Sequence, residues 1–186
     1  MEIAVRIHAV RLRARHAHRG AALTLAAAVT LAGCAGTGTS DATVDAAPFS
    51  AGGVAVSVRI ESRDDGLRVL AELRPQQAGF HLYSLDLPDG GVDGIGIPTR
   101  IRVEGALRPA SLATTDAKRR MLRPAGLDVR LPVYEDGRVV LELPVRRVEG
   151  ADRARVFLTY GACSERAGCL PPVRDRAVSL SLGPAS

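Results

Sequence analysis

The sequence predicts an all-β domain built from two packed sheets. Three observations carry that expectation. Apolar residues recur with period two along most of the chain beyond residue 53, the gaps between these runs hold Asp-Gly pairs, and no segment keeps a helical period for long. In GVAVSVRI, residues 53–60, Val54, Val56, Val58 and Ile60 share one face. Leu67, Val69, Ala71 and Leu73 do the same in the next run. Residues 101–103 and 128–134 alternate, and residues 138–145 collect Val139, Leu141, Leu143 and Val145. Val156, Leu158 and Tyr160 fall together, as do Val178, Leu180 and Leu182. Such strands bury one face and wet the other. Asp65-Gly66, Asp89-Gly90-Gly91, Asp93-Gly94 and Asp136-Gly137 supply turn residues that tolerate positive φ. Residues 111–122, SLATTDAKRRML, are open to one helical turn or an irregular loop. Short strands at this spacing predict an immunoglobulin-like β-sandwich over residues 50–186, with no internal repeat and no second domain.

The chain has 186 residues, 46% of them hydrophobic and 24% charged, which fits a globular protein. Its net charge of +5 is unevenly placed. Arg6, Arg11, Arg13, Arg15 and Arg19 lie in the first twenty residues against Glu2 alone, and the remainder is close to neutral. The folded part therefore has no electrostatic footprint for nucleic acid. The basic start is followed by AALTLAAAVTLAG, residues 21–33, a run of 13 small and apolar residues. A positive segment, a short apolar segment and small residues at its end describe a secretory signal, residues 1–33. The run is shorter than the ~20 residues that span a bilayer as a helix. Leu31-Ala32-Gly33-Cys34 resembles the lipobox of bacterial lipoproteins, in which the cysteine is lipidated and becomes the new N-terminus. Cys34 is thus the expected lipidation site and membrane anchor. Residues 34–49 lack apolar periodicity and are expected to be a lipid-attached flexible tether.

Few residues in the body suit other chemistries. Of four histidines, His8, His16 and His18 lie in the signal, and only His81 is in the body. One histidine with two cysteines six apart is not a zinc spacing, so no metal is expected. In GFHLYS, His81 points away from Phe80 and Leu82 and is expected to be a half-exposed strand residue. No Ser sits in a G-x-S-x-G elbow. Gly94-Ile95-Gly96 has no following helix and is not a nucleotide loop, so no cofactor is expected. Lys118-Arg119-Arg120 and Arg146-Arg147 read as solvated faces.

Cys163 and Cys169 remain, in YGACSERAGCLPPV, residues 160–173. In an oxidising compartment the two have only each other, with Cys34 lipidated. Two readings stay open at this point. A staple closing so short a loop is worth roughly 2–3 kcal/mol, less if strained. The alternative is thiol–disulfide exchange, which needs a reachable sulfur, a nearby resolving cysteine and a partner of matching potential. Pro171 and Pro172 remove two backbone donors after Cys169, so this segment is expected at a sheet edge or rim.

Thr159-Tyr160-Gly161-Ala162-Cys163, five residues, then Cys169-Leu170-Pro171-Pro172 resembles the redox motif of the N-terminal, periplasmic domain of the thiol:disulfide interchange protein DsbD family. Gly79-Phe80-His81-Leu82-Tyr83-Ser84 is similar to an aromatic strand of the same domain. The resemblance covers roughly residues 50–183 and implies an immunoglobulin-like fold. It also implies that the pair passes electrons between a thioredoxin-like protein or membrane electron transporter and oxidised envelope proteins. Cys169 would be the partner-facing sulfur and Cys163 the resolving one. Tyr83 and Tyr160 would shield the pair. The family's cap loop carries an aromatic; the matching stretch here, about Ala117 to Leu127, has none, so Met121 or Leu122 would serve. The family protein continues into membrane and thioredoxin-like domains, so this chain is expected to be one link among separate partners. The competing expectation is a non-catalytic interaction module with a structural disulfide.

Overall fold

The alternation seen in the sequence becomes the two inner walls of a β-sandwich. A computed structural model describes residues 44–183 apart from Asp136. The expected signal, Cys34 and the tether as far as residue 43 lie outside the described residues. Fourteen strands follow in order: β1 (Val44–Asp45), β2 (Phe49–Ala51), β3 (Val54–Arg63), β4 (Gly66–Pro75), β5 (His81–Leu82), β6 (Arg100–Gly105), β7 (Leu107–Pro109), β8 (Arg119–Leu122), β9 (Leu131–Tyr134), β10 (Val139–Arg147), β11 (Arg153–Tyr160), β12 (Ala162–Ser164), β13 (Gly168–Cys169) and β14 (Val173–Ser181). Among the described residues there is no helix.

The larger sheet runs β1-β3-β4-β10-β7, with β2 also paired to β3, and the second runs β14-β11-β6. Their pairings are antiparallel throughout. Val54, Val56, Val58 and Ile60 of β3, with Val139, Leu141, Leu143 and Val145 of β10, form one wall of the core. Val156, Leu158 and Tyr160 of β11, with Val178 and Leu180 of β14, form the other. Burying both walls against each other is what holds the sheets face to face, as in an immunoglobulin-like sandwich. The chain changes sheets between β6 and β7, where Ala106 N donates to Arg153 O and Ala106 O accepts from Val148 N, both at 2.8 Å.

Two stretches differ from the sequence expectation. Residues placed in the tether already belong to the sheet: Val44 and Asp45 pair with Ile60 and Arg59 of β3. Two residues carry no periodicity, so only the partner strand reveals them. Residues 111–122 form neither a helical turn nor a plain loop. Thr114 bridges Glu142, and Arg119–Leu122 becomes β8, paired with β9.

Leu158 is fully buried between the walls. Leu158→Ala is expected to cost about 2–5 kcal/mol, read as a lower urea midpoint at unchanged slope.

Candidate functional site

A third, short sheet carries the cysteines. It runs β13-β12-β5, with Cys163 opposite Cys169 and His81 opposite Cys163. The β8–β9 hairpin joins the free side of β5 through a bridge from Tyr83 to Val133 and a bond from Ser84 N to Pro132 O of 2.9 Å. Period two gives this row of strands two faces. Phe80, Leu82, Ala162 and Leu170 turn into the main core. Tyr83, Cys163, Leu122, Leu131 and Val133 turn the other way and form a second apolar cluster with Leu87. Both faces of β5 are covered, so its neighbours in sequence are all buried.

Cys163 and Cys169 form a disulfide, with Cα atoms 4.0 Å apart. Leu170 N donates to Ala162 O at 2.9 Å. That bond makes the cysteines a non-hydrogen-bonded cross-strand pair, the position where opposed side chains come nearest. The two sulfurs have different surroundings. Cys163 is 6% exposed within the second cluster, whereas Cys169 lies exposed on β13, which among the described residues pairs with β12 alone and forms an edge. Pro171 and Pro172 are exposed directly after it, at the rim where the sequence places them.

Of the two tyrosines, Tyr83 is the one that touches the pair. Its hydroxyl donates to Cys163 Sγ at 3.3 Å, and burial pushes its phenol up, which keeps the proton on the oxygen. The following segment fixes its backbone. Thr99 Oγ1 donates to Tyr83 O at 2.5 Å, and the Arg100 guanidinium donates to Leu85 O and Leu87 O at 2.6 Å each. Gly96, in the G-x-G stretch, leaves room for the ring: a Cβ there would lie 3.0 Å from Tyr83 Cε1.

Tyr160 and Met121 stand elsewhere. Tyr160 belongs to the main core, and its hydroxyl donates to Ala51 O at 3.1 Å. Burial raises its pKa to about 12, against a smaller opposing effect of Arg176. Its bond pins a turn that buttresses the exposed cysteine from behind. Gly52 and Gly53 have φ of 54° and 70°. A Cβ on Gly52 would sit 2.8 Å from Pro171 O, and one on Gly53 would overlap Leu170 Cδ1. The turn therefore holds the segment leaving Cys169. Met121 is 57% exposed, because alternation along β8 turns it outward and turns Leu122 into the cluster with Cys163. Of the two residues, Leu122 is thus the one that packs in the cluster of Cys163. Arg120, two residues before it, reaches Glu165 in the β12–β13 loop at 3.1 Å, so the hairpin also meets the cysteine loop.

His81 departs from expectation. The sequence reading made it half exposed; it is 1% exposed. Its direction away from Phe80 and Leu82 is as expected, but the face it turns to is itself covered. The Leu131, Leu87 and Gly52-Gly53 contributions were not identified in the sequence, whereas Leu122 was offered there beside Met121. Only the Gly-Gly pair leaves a local sign there, as a turn signal between strands.

Neither a family model nor a curated protein matches the chain. The chain is similar to a solved structure of the N-terminal domain of DsbD from Neisseria meningitidis in the reduced form. Identity is 19%, the TM-score is 0.41, and the match covers 69% of this chain and 85% of that one. A likeness at this identity concerns the fold alone.

Two outcomes follow from the geometry. Gly53→Ala forces a side chain into a positive-φ position already filled by Leu170, and is expected to destabilise the domain by more than about 1 kcal/mol in urea unfolding. Tyr83→Phe removes the donor to Cys163, so thiolate absorbance of Cys163 in the reduced protein should appear at higher pH than in the parent.

Proposed function

We propose that the chain is a thiol–disulfide exchange protein, acting through Cys163 and Cys169. The observation that carries this reading is the asymmetry of the pair: an exposed cysteine on an edge strand bonded to a buried one whose sulfur accepts from a hydroxyl. A partner thiolate attacks Cys169 Sγ and forms a mixed disulfide, while Cys163 leaves as the buried sulfur beside Tyr83. In the opposite direction, Cys163 resolves the mixed disulfide on Cys169 and releases the partner. Cys169 is then the partner-facing residue and Cys163 the resolving one. Tyr83 and Leu122 shield the inner sulfur, and Tyr160 supports the site through the Ala51–Val54 turn.

The partners fitting this chemistry are a thioredoxin-like protein or a membrane electron transporter on one side and oxidised envelope proteins on the other. The resemblance of the cysteine motif supports that assignment. With the signal-like first 33 residues and the lipobox, it also supports an extracytoplasmic, lipid-anchored setting at Cys34.

One observation favours a second reading, a non-catalytic interaction module with a structural disulfide. The bridge joins two strands already paired through Leu170 and Ala162. The reduction potential separates the two. Equilibration with glutathione or dithiothreitol followed by alkylation should give a value within roughly −120 to −270 mV for an exchange protein. A value below about −300 mV assigns the bridge to structure. A reduced Cys163→Ser variant should trap a mixed disulfide with a thioredoxin-like partner, and Cys169→Ser should not. Equal trapping by both would overturn the assignment of the two sulfurs.

A further inference from the structure

We propose that His81 holds and transfers the proton of the buried sulfur Cys163, an inference that rests on the exchange reading above. Three adjacent strands place His81, Cys163 and Cys169 in one row of register partners. Directly opposed residues of an antiparallel sheet project to the same face, with Cβ atoms about 4.5–5.5 Å apart. Tyr83, two residues on, shares that face. Its ring meets the imidazole edge to face, centroids 6.1 Å apart, while its hydroxyl touches Cys163 Sγ. The imidazole thus lies in the layer that contains the inner sulfur, and both are buried.

That placement answers a chemical need. When the disulfide opens, negative charge appears on a sulfur that solvent scarcely reaches. A thiolate in an apolar cluster is strongly disfavoured unless a donor or a proton meets it. Tyr83 gives a hydrogen bond but keeps its proton. Histidine is the side chain suited to giving one near neutral pH. The titratable groups around this layer are Tyr83 beside β5, Cys163 on β12 and Cys169 on β13. Glu135, just past the end of β9, is exposed and bonds through its N–H to Lys118 O. The remaining cover, Leu87, Leu122, Leu131 and Val133, carries no charge. Arg120 and Glu165 face each other at its rim.

In the opening step, a thiolate of the attacking dithiol bonds to Cys169 Sγ. The bond between Cys169 and Cys163 breaks, and its electron pair stays on Cys163 Sγ. The His81 imidazolium gives its proton to that sulfur and becomes neutral. The second thiolate of the dithiol then displaces Cys169, so the dithiol loses two electrons and the pair gains two. In the reverse direction, neutral His81 takes the Cys163 proton as that sulfur attacks the mixed disulfide at Cys169 Sγ.

The test is the pH profile of disulfide opening by dithiothreitol in the full chain, expressed per dithiothreitol thiolate. In the parent, this rate should fall by on the order of a hundredfold as pH rises through the titration of His81. His81→Gln should lose that dependence, with urea unfolding confirming that the oxidised variant is folded. A parental profile in His81→Gln would overturn the proposal. Should the variant fail to fold, the imidazole resonance of His81 in the parent decides. Its titration in the oxidised chain should coincide with the midpoint of the parent's rate profile, and a profile that does not follow it would overturn the proposal. If dithiothreitol leaves the bridge closed across the range, the exchange reading itself fails.

Discussion

The pairing of β12 between β5 and β13 is the constraint from which the site follows. It fixes Cys163 opposite both Cys169 and His81 in a single row. Because opposed residues share a face, that register also decides which side chains sink into the main core and which face the smaller cluster. A slip of β12 by one residue would turn Cys163 into the sandwich core and Ala162 out of it. The apolar identity of Phe80, Leu82, Ala162 and Leu170 prevents the slip, since each fills the main core only in the observed register.

The same register makes the disulfide uneven. The inner cysteine has the β5 strand and the β8–β9 hairpin on one side, with Leu122, Leu131 and Val133 covering it. Among the described residues, no strand pairs with the outer cysteine's free side, and the two prolines that follow keep the chain from extending its ladder. One bond therefore joins an exposed cysteine to an interior one. Charge formed on the interior sulfur is governed by the few groups of its own layer, and charge on the surface sulfur is governed by water.

Support for this arrangement comes from two remote parts of the chain. Arg100 and Thr99 tie down the backbone around Tyr83 through carbonyl acceptors. The Gly52-Gly53 turn, held by Tyr160 through Ala51, leaves room for Leu170 and Pro171 behind Cys169. Both supports act on backbone next to the functional side chains. They set position without adding a polar group to the apolar cluster.

The long strands were legible in the sequence because period-two alternation is a local consequence of the pleat, and one buried face suffices to reveal it. The cysteine pair, the rim position of the two prolines and the direction of His81 were legible for the same reason: each depends only on near neighbours. The short strands β1, β2, β7 and β8 were not, since two to four residues hold no period and exist as strands through partners far along the chain. The covered state of His81, the inward turn of Leu122 in place of Met121, and the placement of Tyr160 behind the site were also beyond local reading. The sequence by itself determined which residues share a face. Only the tertiary structure decided which faces are covered, because burial is set by what packs on a face from elsewhere, and a second cluster over β5 turned an apparently half-exposed strand into an interior one.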